Sequence, residues 1–529
     1  MNSNNSIRYA GAKLGNLSSN ISEVDGKNVV GAHSCTNKMA RATNSADAAR
    51  DSADLKARCY QYLHVIKTAV ESEPRTEQAL GLGRLYGTVA FINDPGIYAD
   101  DSLIRSFADR FPRVSDHQPS EKKDIVHVIS EAFAFGGHTR LMERLASVHT
   151  PRADLIVTRS TNIDYLRKDE REFENVMNLA GMDETSRLER LSSELLRYRT
   201  IVMHTAEDDF CAAVCAWRAR QAGAKIFFVN HADHHFAFGR EIANVILQVS
   251  SFGETLTRRH LPDAQSSFVG IPLAGKPHHD DSRKSTAGSL GIVSGGASWK
   301  FRPALDFSLP RVMAHLLSAR RDARFTVIGA RPFLDYWWWP LKLRYWHRVA
   351  VRGLLPYRDY INVASSADVW LDSYPVTGGT AFPEAVWSGK YACALWSGVN
   401  GWSPADELRV RTSFELLSVI ENREAYAARL RASQDRLREV HDLAAVGRRY
   451  LAALSGSAFA EVPPGNPDVT FFTRVWCDRR RLNVPRRGAV PDRHVRRVLA
   501  KIIKPWSPAL TLIGRLRLLR FSSVLMRGE

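Results

Sequence analysis

A chain of 529 residues is long for one hydrophobic core and implies two domains with tails. With 44% hydrophobic and 24% charged residues, most of it is globular, which excludes a wholly disordered or fibrous protein. The net charge of +17 invites nucleic acid as a partner, but residues 474–529 hold fifteen Arg or Lys against three acids, so the basicity belongs mainly to a tail that carries no aromatic RNA-binding motif. Nucleic acid is therefore the disfavoured partner. The six cysteines are scattered without a CxxC pair, which argues against a disulfide framework or zinc site and for a reducing compartment. The amino terminus lacks the apolar core of a secretory signal, and no stretch approaches the ~20 apolar residues of a bilayer span. A cytoplasmic chain, soluble or peripheral at the inner face of a membrane, is expected.

In chain order, residues 1–55 are rich in Asn, Ser, Ala and Gly and are expected to be disordered. Helical spacing over Cys59–Glu71 and Asp101–Phe111 predicts a helical lead-in. Short apolar runs at Ile125–Ile129, Leu155–Thr158, Ile201–His204, Lys225–Asn230 and Val245–Val249 predict strands alternating with helices, so residues 56–274 form one Rossmann-like domain. The polar stretch 275–289 reads as a linker. A second α/β series over 290–455 has strands at Leu290–Val293, Arg324–Ile328, Val369–Asp372 and Tyr391–Leu395, and helices at Leu309–Arg320, Tyr357–Ser366 and Glu415–Leu437. Residues 456–529 form a basic helical tail. Two Rossmann-like α/β domains facing a cleft, followed by a helical region, describe a GT-B architecture.

The strand Val369–Asp372 runs into Tyr374-Pro375, Thr377 and Gly378-Gly379, which break regular structure at the carboxyl end where open α/β sheets bind ligands. Thr380 is placed to cap a short helix, with Pro383 in its first turn and Gly389 at its end. Free N–H groups there suit an anion. Glu384 would repel a phosphate and is expected to reach neutral hydroxyls such as those of a ribose. An ordinary βα turn with a capping acid is the plain alternative. At the start of the second domain, Gly295, Gly296, Ser298, Lys300 and Arg302 follow a strand as a second phosphate-binding element, or as a glycine turn with surface cations. It is neither a Walker A sequence nor a GxGxxG fingerprint, which disfavours an ATPase or a nicotinamide enzyme.

In the first domain, Gly136, Gly137, His138 and Arg140 follow the strand Ile125–Ile129. His138 on a glycine turn is the best candidate for a base, with helix capping or phosphate contact as the alternative. Asn230-His231-Ala232-Asp233-His234-His235 raises the question of a metal, but no second compact ligand cluster is evident and no metal is assigned. Contacts lining a cleft or structural hydrogen bonds fit these residues. His231 and Asp233 stand next in line as bases, and Gly136, Gly137, Arg140 and His234 as acceptor contacts. Glu207-Asp208-Asp209 reads as a solvated, acid-rich helix start.

Residues 367–390 resemble the donor-binding segment of GT-B glycosyltransferases, especially the O-GlcNAc-transferase-like group. Leu371, Asp372, Pro375, Gly378, Gly379, Thr380, Glu384, Ala385, Trp387 and Gly389 match without a gap. The resemblance implies a UDP-sugar donor, pyrophosphate contact by Thr380, ribose contact by Glu384, and a phosphate-binding role for Lys300. It implies no cofactor and a glycan, lipid-linked or protein acceptor, as in bacterial-type glycan synthesis. Three departures stand out. Lys390-Tyr391 replaces the family's proline after the helix-ending glycine. No tetratricopeptide repeats precede the domains. Val376 lies eight residues before Glu384, where retaining enzymes commonly carry a glutamate, so inversion is favoured. A nucleotide-sugar epimerase of the same fold is the closest rival. The tail, with Arg and Lys among aliphatic residues over Arg493–Arg520, suits an anionic membrane surface or packing against the first domain.

Overall fold

The computed structural model describes residues 53, 55–110, 121–132, 137–161, 173–275, 289–398, 401, 403–463 and 467–470. Both of its sheets belong to one compact unit. The expectations for residues 1–52, for nearly all of the linker and for the tail beyond residue 470 lie outside the described residues; residues 53 and 55 are helical where disorder was expected, and the described stretches 456–463 and 467–470 carry no helix.

The first lobe is a seven-stranded sheet in the order β3-β2-β1-β4-β5-β6-β7, and every adjacent pair is parallel. Its strands are β1 Lys123–Ala132, β2 Asp154–Thr161, β3 Val176–Asn178, β4 Tyr198–His204, β5 Lys225–Asn230, β6 Val245–Gln248 and β7 Ser266–Phe268. Strand β5 is buried from Ile226 to Asn230, the pattern of a parallel strand covered on both faces. The second lobe is a six-stranded parallel sheet in the order β10-β9-β8-β11-β12-β13. It comprises β8 Leu290–Gly295, β9 Ala323–Ile328, β10 Val349–Arg352, β11 Val369–Leu371, β12 Ala392–Leu395 and β13 Arg409–Val410.

The chain order of the strands reverses between β1 and β4 in one sheet and between β8 and β11 in the other. Ligand crevices of open parallel sheets form outside the carboxyl ends at such switch points. The loops singled out by sequence leave these strands: the His138 loop follows β1, the Lys300 loop follows β8 and the Gly378 loop follows β11. The histidine-rich loop follows β5, one strand further on.

Every expected strand is present. The sequence reading passed over β3, β7, β10 and β13, the four edge strands, which are short and mix polar residues such as Asn178, Ser266, Arg352 and Arg409 into the run, unlike the apolar runs of the equally short central β6, β11 and β12. The helix expected over Glu415–Leu437 is two helices, Ser413–Glu421 and Arg423–His441, broken at Asn422 where ψ is 62°. The expected lead-in helices span 55–72 and Ser102–Arg110, with an unforeseen helix Thr76–Asn93 between them. After the second sheet the helix Leu443–Ser455 packs against the first lobe. Leu443 N–H donates to the Leu273 carbonyl, and Tyr450 is fully buried beside His127 and His149. Among the described residues, no helix is long and apolar enough to cross a membrane.

Candidate functional site

The second-lobe half is organised by Asp372, at the end of β11. Its Oδ1 accepts from Ser373 N–H (2.8 Å) and Gly378 N–H (2.9 Å), folding the loop back on itself. A side chain at Gly378 would meet that oxygen at 2.8 Å, so the turn needs glycine. Oδ2 is paired with Arg409 on the edge strand β13 at 3.0 Å, both side chains being essentially inaccessible, and Arg409 also pairs with Asp406 at 2.6 Å. Burial raises the Asp372 pKa, and Arg409 opposes that shift. Lys300 reaches the same loop, donating from Nζ to the Thr377 carbonyl at 3.0 Å. Burial lowers its pKa, against the opposing pull of Asp372. The Thr377 hydroxyl beside it, and that of Ser294 at the end of β8, are buried without a hydrogen-bond partner among the described residues. A desolvated ammonium with two spare hydroxyls suits an anionic oxygen ligand.

The remaining expected donor residues divide. Tyr374 is buried, with its ring 5.8 Å from that of Phe307. Thr380 begins the helix Ala381–Trp387 without capping it through its side chain. The Ser298 hydroxyl donates to Asp335 at 2.5 Å, and Arg302 is exposed. A side chain on Gly295 would strike the Tyr360 ring at 2.7 Å, and one on Gly296 would crowd Ser373 at 3.3 Å. Gly379 is half-buried in the turn.

On the first lobe, Gly136 lies outside the described residues and Gly137 opens the helix Gly137–Ala146. The His138 Nε2 lies 2.9 Å from the His204 carbonyl, an acceptor only, so Nε2 carries the proton and Nδ1 keeps a lone pair. The His138 ring stacks on His231 at 3.9 Å between centroids, 7° from parallel. The His231 Nδ1 faces the Val229 carbonyl at 3.2 Å, which fixes its tautomer in the same way. Burial pushes His138 down to about 4 despite the bond to the His204 carbonyl, and His231 well below the usual histidine range. Both rings are neutral at physiological pH.

Asp233 is fully buried, accepting from the Ser250 hydroxyl at 2.5 Å and paired with His234 Nδ1 at 3.2 Å. It holds the loop from beneath. Buried Arg240, which sequence reasoning missed, clamps the same loop by donating to the carbonyls of Ala232 (3.0 Å) and His235 (2.6 Å) and to the Asn230 side chain. No group of three or more His, Cys, Asp or Glu among the described residues is arranged to hold a metal ion. Asp208 and Asp209, before the helix Phe210–Gln221, are paired rather than solvated. Asp208 meets Arg159 at 2.7 Å, and Asp209 accepts from Ser130 and Thr158 while capping the helix at Ala212 N–H. Position alone cannot reveal these partners, which come from β1 and β2.

The two halves meet. A side chain added at Gly137 would lie 2.3 Å from Thr380 Oγ1, so the histidine loop and the donor loop abut. Lys300 helps depress His234, after burial, to about 3. The Glu384 carboxylate is paired with Arg140 at 3.3 Å and Arg144 at 3.0 Å, partners that the sequence did not announce. The two arginines are four apart on one helix and reach the acid together. Each pair is about a quarter exposed and contributes on the order of 1 kcal/mol or less.

Behind the cleft the histidines continue inward. His204 Nε2 lies 3.0 Å from His127 Nδ1, and His127 Nε2 lies 3.2 Å from His149. His127 and His204 are fully buried, and burial drives both well below their ordinary pKa. Stability held by a neutral buried histidine is complete above the unfolded pKa of about 6.5 and is lost as pH falls below it. Between pH 7.5 and pH 5, each of these two should remove about 2 kcal/mol. Urea midpoints measured at the two pH values check this, and His127→Asn should flatten the dependence.

No family model and no curated protein sequence matches the chain. Among solved structures, TarM is similar at a TM-score of 0.50 and 10% identity, over 64% of this chain and 99% of that one. A mutant of the Thermobaculum terrenum O-GlcNAc transferase gives 0.46 at 16% identity over 81% and 82%. Anabaena HepE, solved with UDP and glucose, gives 0.48 at 14% identity over 62% and 99%. With its two parallel-sheet lobes facing a cleft and a helix returning to the first, this chain has the GT-B fold.

Proposed function

We propose that the chain is a glycosyltransferase that moves a hexose-type sugar from a UDP-sugar to an acceptor hydroxyl with inversion. The observation that carries this reading is the abutment of Thr380 against Gly137 of the His138 loop, with the Thr377 carbonyl that Lys300 holds three residues earlier on the same donor loop. It supports a site with an anion-binding half and a basic half within one sugar's reach. The acceptor oxygen attacks the anomeric carbon, and its proton passes to His138 Nδ1. The bond from that carbon to the diphosphate oxygen breaks, and its electron pair leaves with the nucleotide. Lys300, with the hydroxyls of Thr377 and Thr380, stabilises the charge that develops on the leaving group. Glu384 would turn from Arg140 and Arg144 to the ribose when the donor enters. Such a step needs no cofactor.

Incubation with a panel of labelled UDP-sugars and glycan, lipid-linked and peptide acceptors tests the reading. The expected outcome is free UDP with label on the acceptor. Recovery of the donor's epimer would favour the rival chemistry, and intact donor throughout the panel would contradict both.

A further inference from the structure

Residues 331–358 contain six Arg or Lys and a single acid, Asp335, which is buried between Ser298 and Arg331. They run from the end of β9 through a 3-10 turn Tyr336–Trp338 and a helix Trp339–Arg344 to β10, the edge strand of the second sheet. Trp338, Leu341 and Tyr345, spaced i, i+3, i+7, are buried and account for the inward face. A second apolar stripe at the same spacing, Tyr336, Trp339, Leu343 and Trp346, points outward and is 51%, 49%, 70% and 59% exposed. Phe333 and Leu354 extend it at 86% and 79%. Seven of the fourteen large hydrophobics found exposed among the described residues fall within 333–354, so this is one patch and not ordinary scatter.

The patch is held together. Trp339 Nε1 donates to the Pro332 carbonyl at 3.1 Å, folding the Phe333 turn against the helix. Lys342 Nζ sits 5.2 Å over the Trp346 ring while bonding the Val349 carbonyl at 2.6 Å. Arg344 and Arg352 are exposed at its border. A segment apolar on two opposite faces, one of them wet and bordered by the exposed cations Arg344 and Arg352, has the chemistry of an interfacial element drawn to anionic lipid. A second copy of the same face would bring like charges together. Besides the rings of Phe333, Tyr336, Trp339 and Trp346, the patch exposes the aliphatic Leu334, Leu343 and Leu354, which hydrocarbon takes up and base stacking does not, and this favours lipid over nucleic acid.

We propose that the 333–354 surface of the second lobe docks on an anionic lipid bilayer. The proposal stands apart from the transferase reading. One consequence rests on that reading: the Ser298–Asp335 bond ties the patch to the Lys300 loop, so docking would bring the cleft to the lipid surface.

The test is co-sedimentation of the full chain with phosphatidylcholine vesicles with and without phosphatidylglycerol. Wild type is compared with a Phe333→Glu, Leu343→Glu, Trp346→Glu triple variant, and circular dichroism verifies the fold. Wild type should bind the anionic vesicles, and the variant's partition should fall at least tenfold with UDP binding unchanged. Equal partition of the two would overturn the proposal and shift membrane contact to another part of the chain, such as the basic tail. It would also fall if neither bound while light scattering showed a wild-type dimer split by the variant, or if a single-stranded oligonucleotide bound in place of vesicles.

Discussion

Arg409→Met should lower stability by about 3–5 kcal/mol, because it leaves the buried Asp372 carboxylate without its counter-charge. The pair links β13 to the turn after β11, and the same carboxylate holds the Ser373 and Gly378 N–H groups. Its loss should therefore loosen the donor loop as well as the sheet edge. The double variant Arg409→Met, Asp372→Asn removes the stranded charge and keeps an oxygen for the two N–H groups. It should regain more than half of the lost stability. Urea unfolding of the three proteins checks this, and a single-variant loss below about 1 kcal/mol would contradict the buried-pair account.

His138→Ala should reduce turnover by about 10²–10⁴-fold while leaving donor affinity near wild type, as expected when a general base is removed. The geometry also sets a pH signature. A base held at about 4 is deprotonated above that value, so its activity falls only as pH drops through about 4. Turnover should stay level between about pH 5 and pH 8, where an ordinary histidine would cut it below about 6.5. Initial rates on folded enzyme across that range measure the effect. Full turnover in His138→Ala would move the base to His231, which shares its stack and its neutral state.

Much of this site was legible because it depends on local order: an apolar run, then glycines, then a polar side chain at a strand's carboxyl end. That logic singled out Lys300, Gly378, Thr380 and His138 as candidates, and the sheet topology sets their strands at the two switch points. What escaped is long-range. Nothing near Asp372 announces Arg409, which arrives on an edge strand of two residues. Glu384 reads as a helix-start acid until Arg140 and Arg144 reach it from the other lobe. Arg240 looks like a surface cation in sequence, but it is buried because five carbonyl and amide contacts take up its donors. The 336–346 segment has the apolar density of core in sequence, and only the fold reveals that one of its two stripes stays about half exposed or more.

The central claim is that the Lys300–Thr377 corner holds the diphosphate of a nucleotide. Calorimetric titration of UDP into wild type and Lys300→Ala tests it without knowledge of sugar or acceptor. Loss of a charge-assisted contact contributing about 1.5–3 kcal/mol predicts measurable binding to wild type that weakens roughly 10- to 100-fold in the variant. Absence of UDP binding to wild type, or equal affinity in the two proteins, would contradict it.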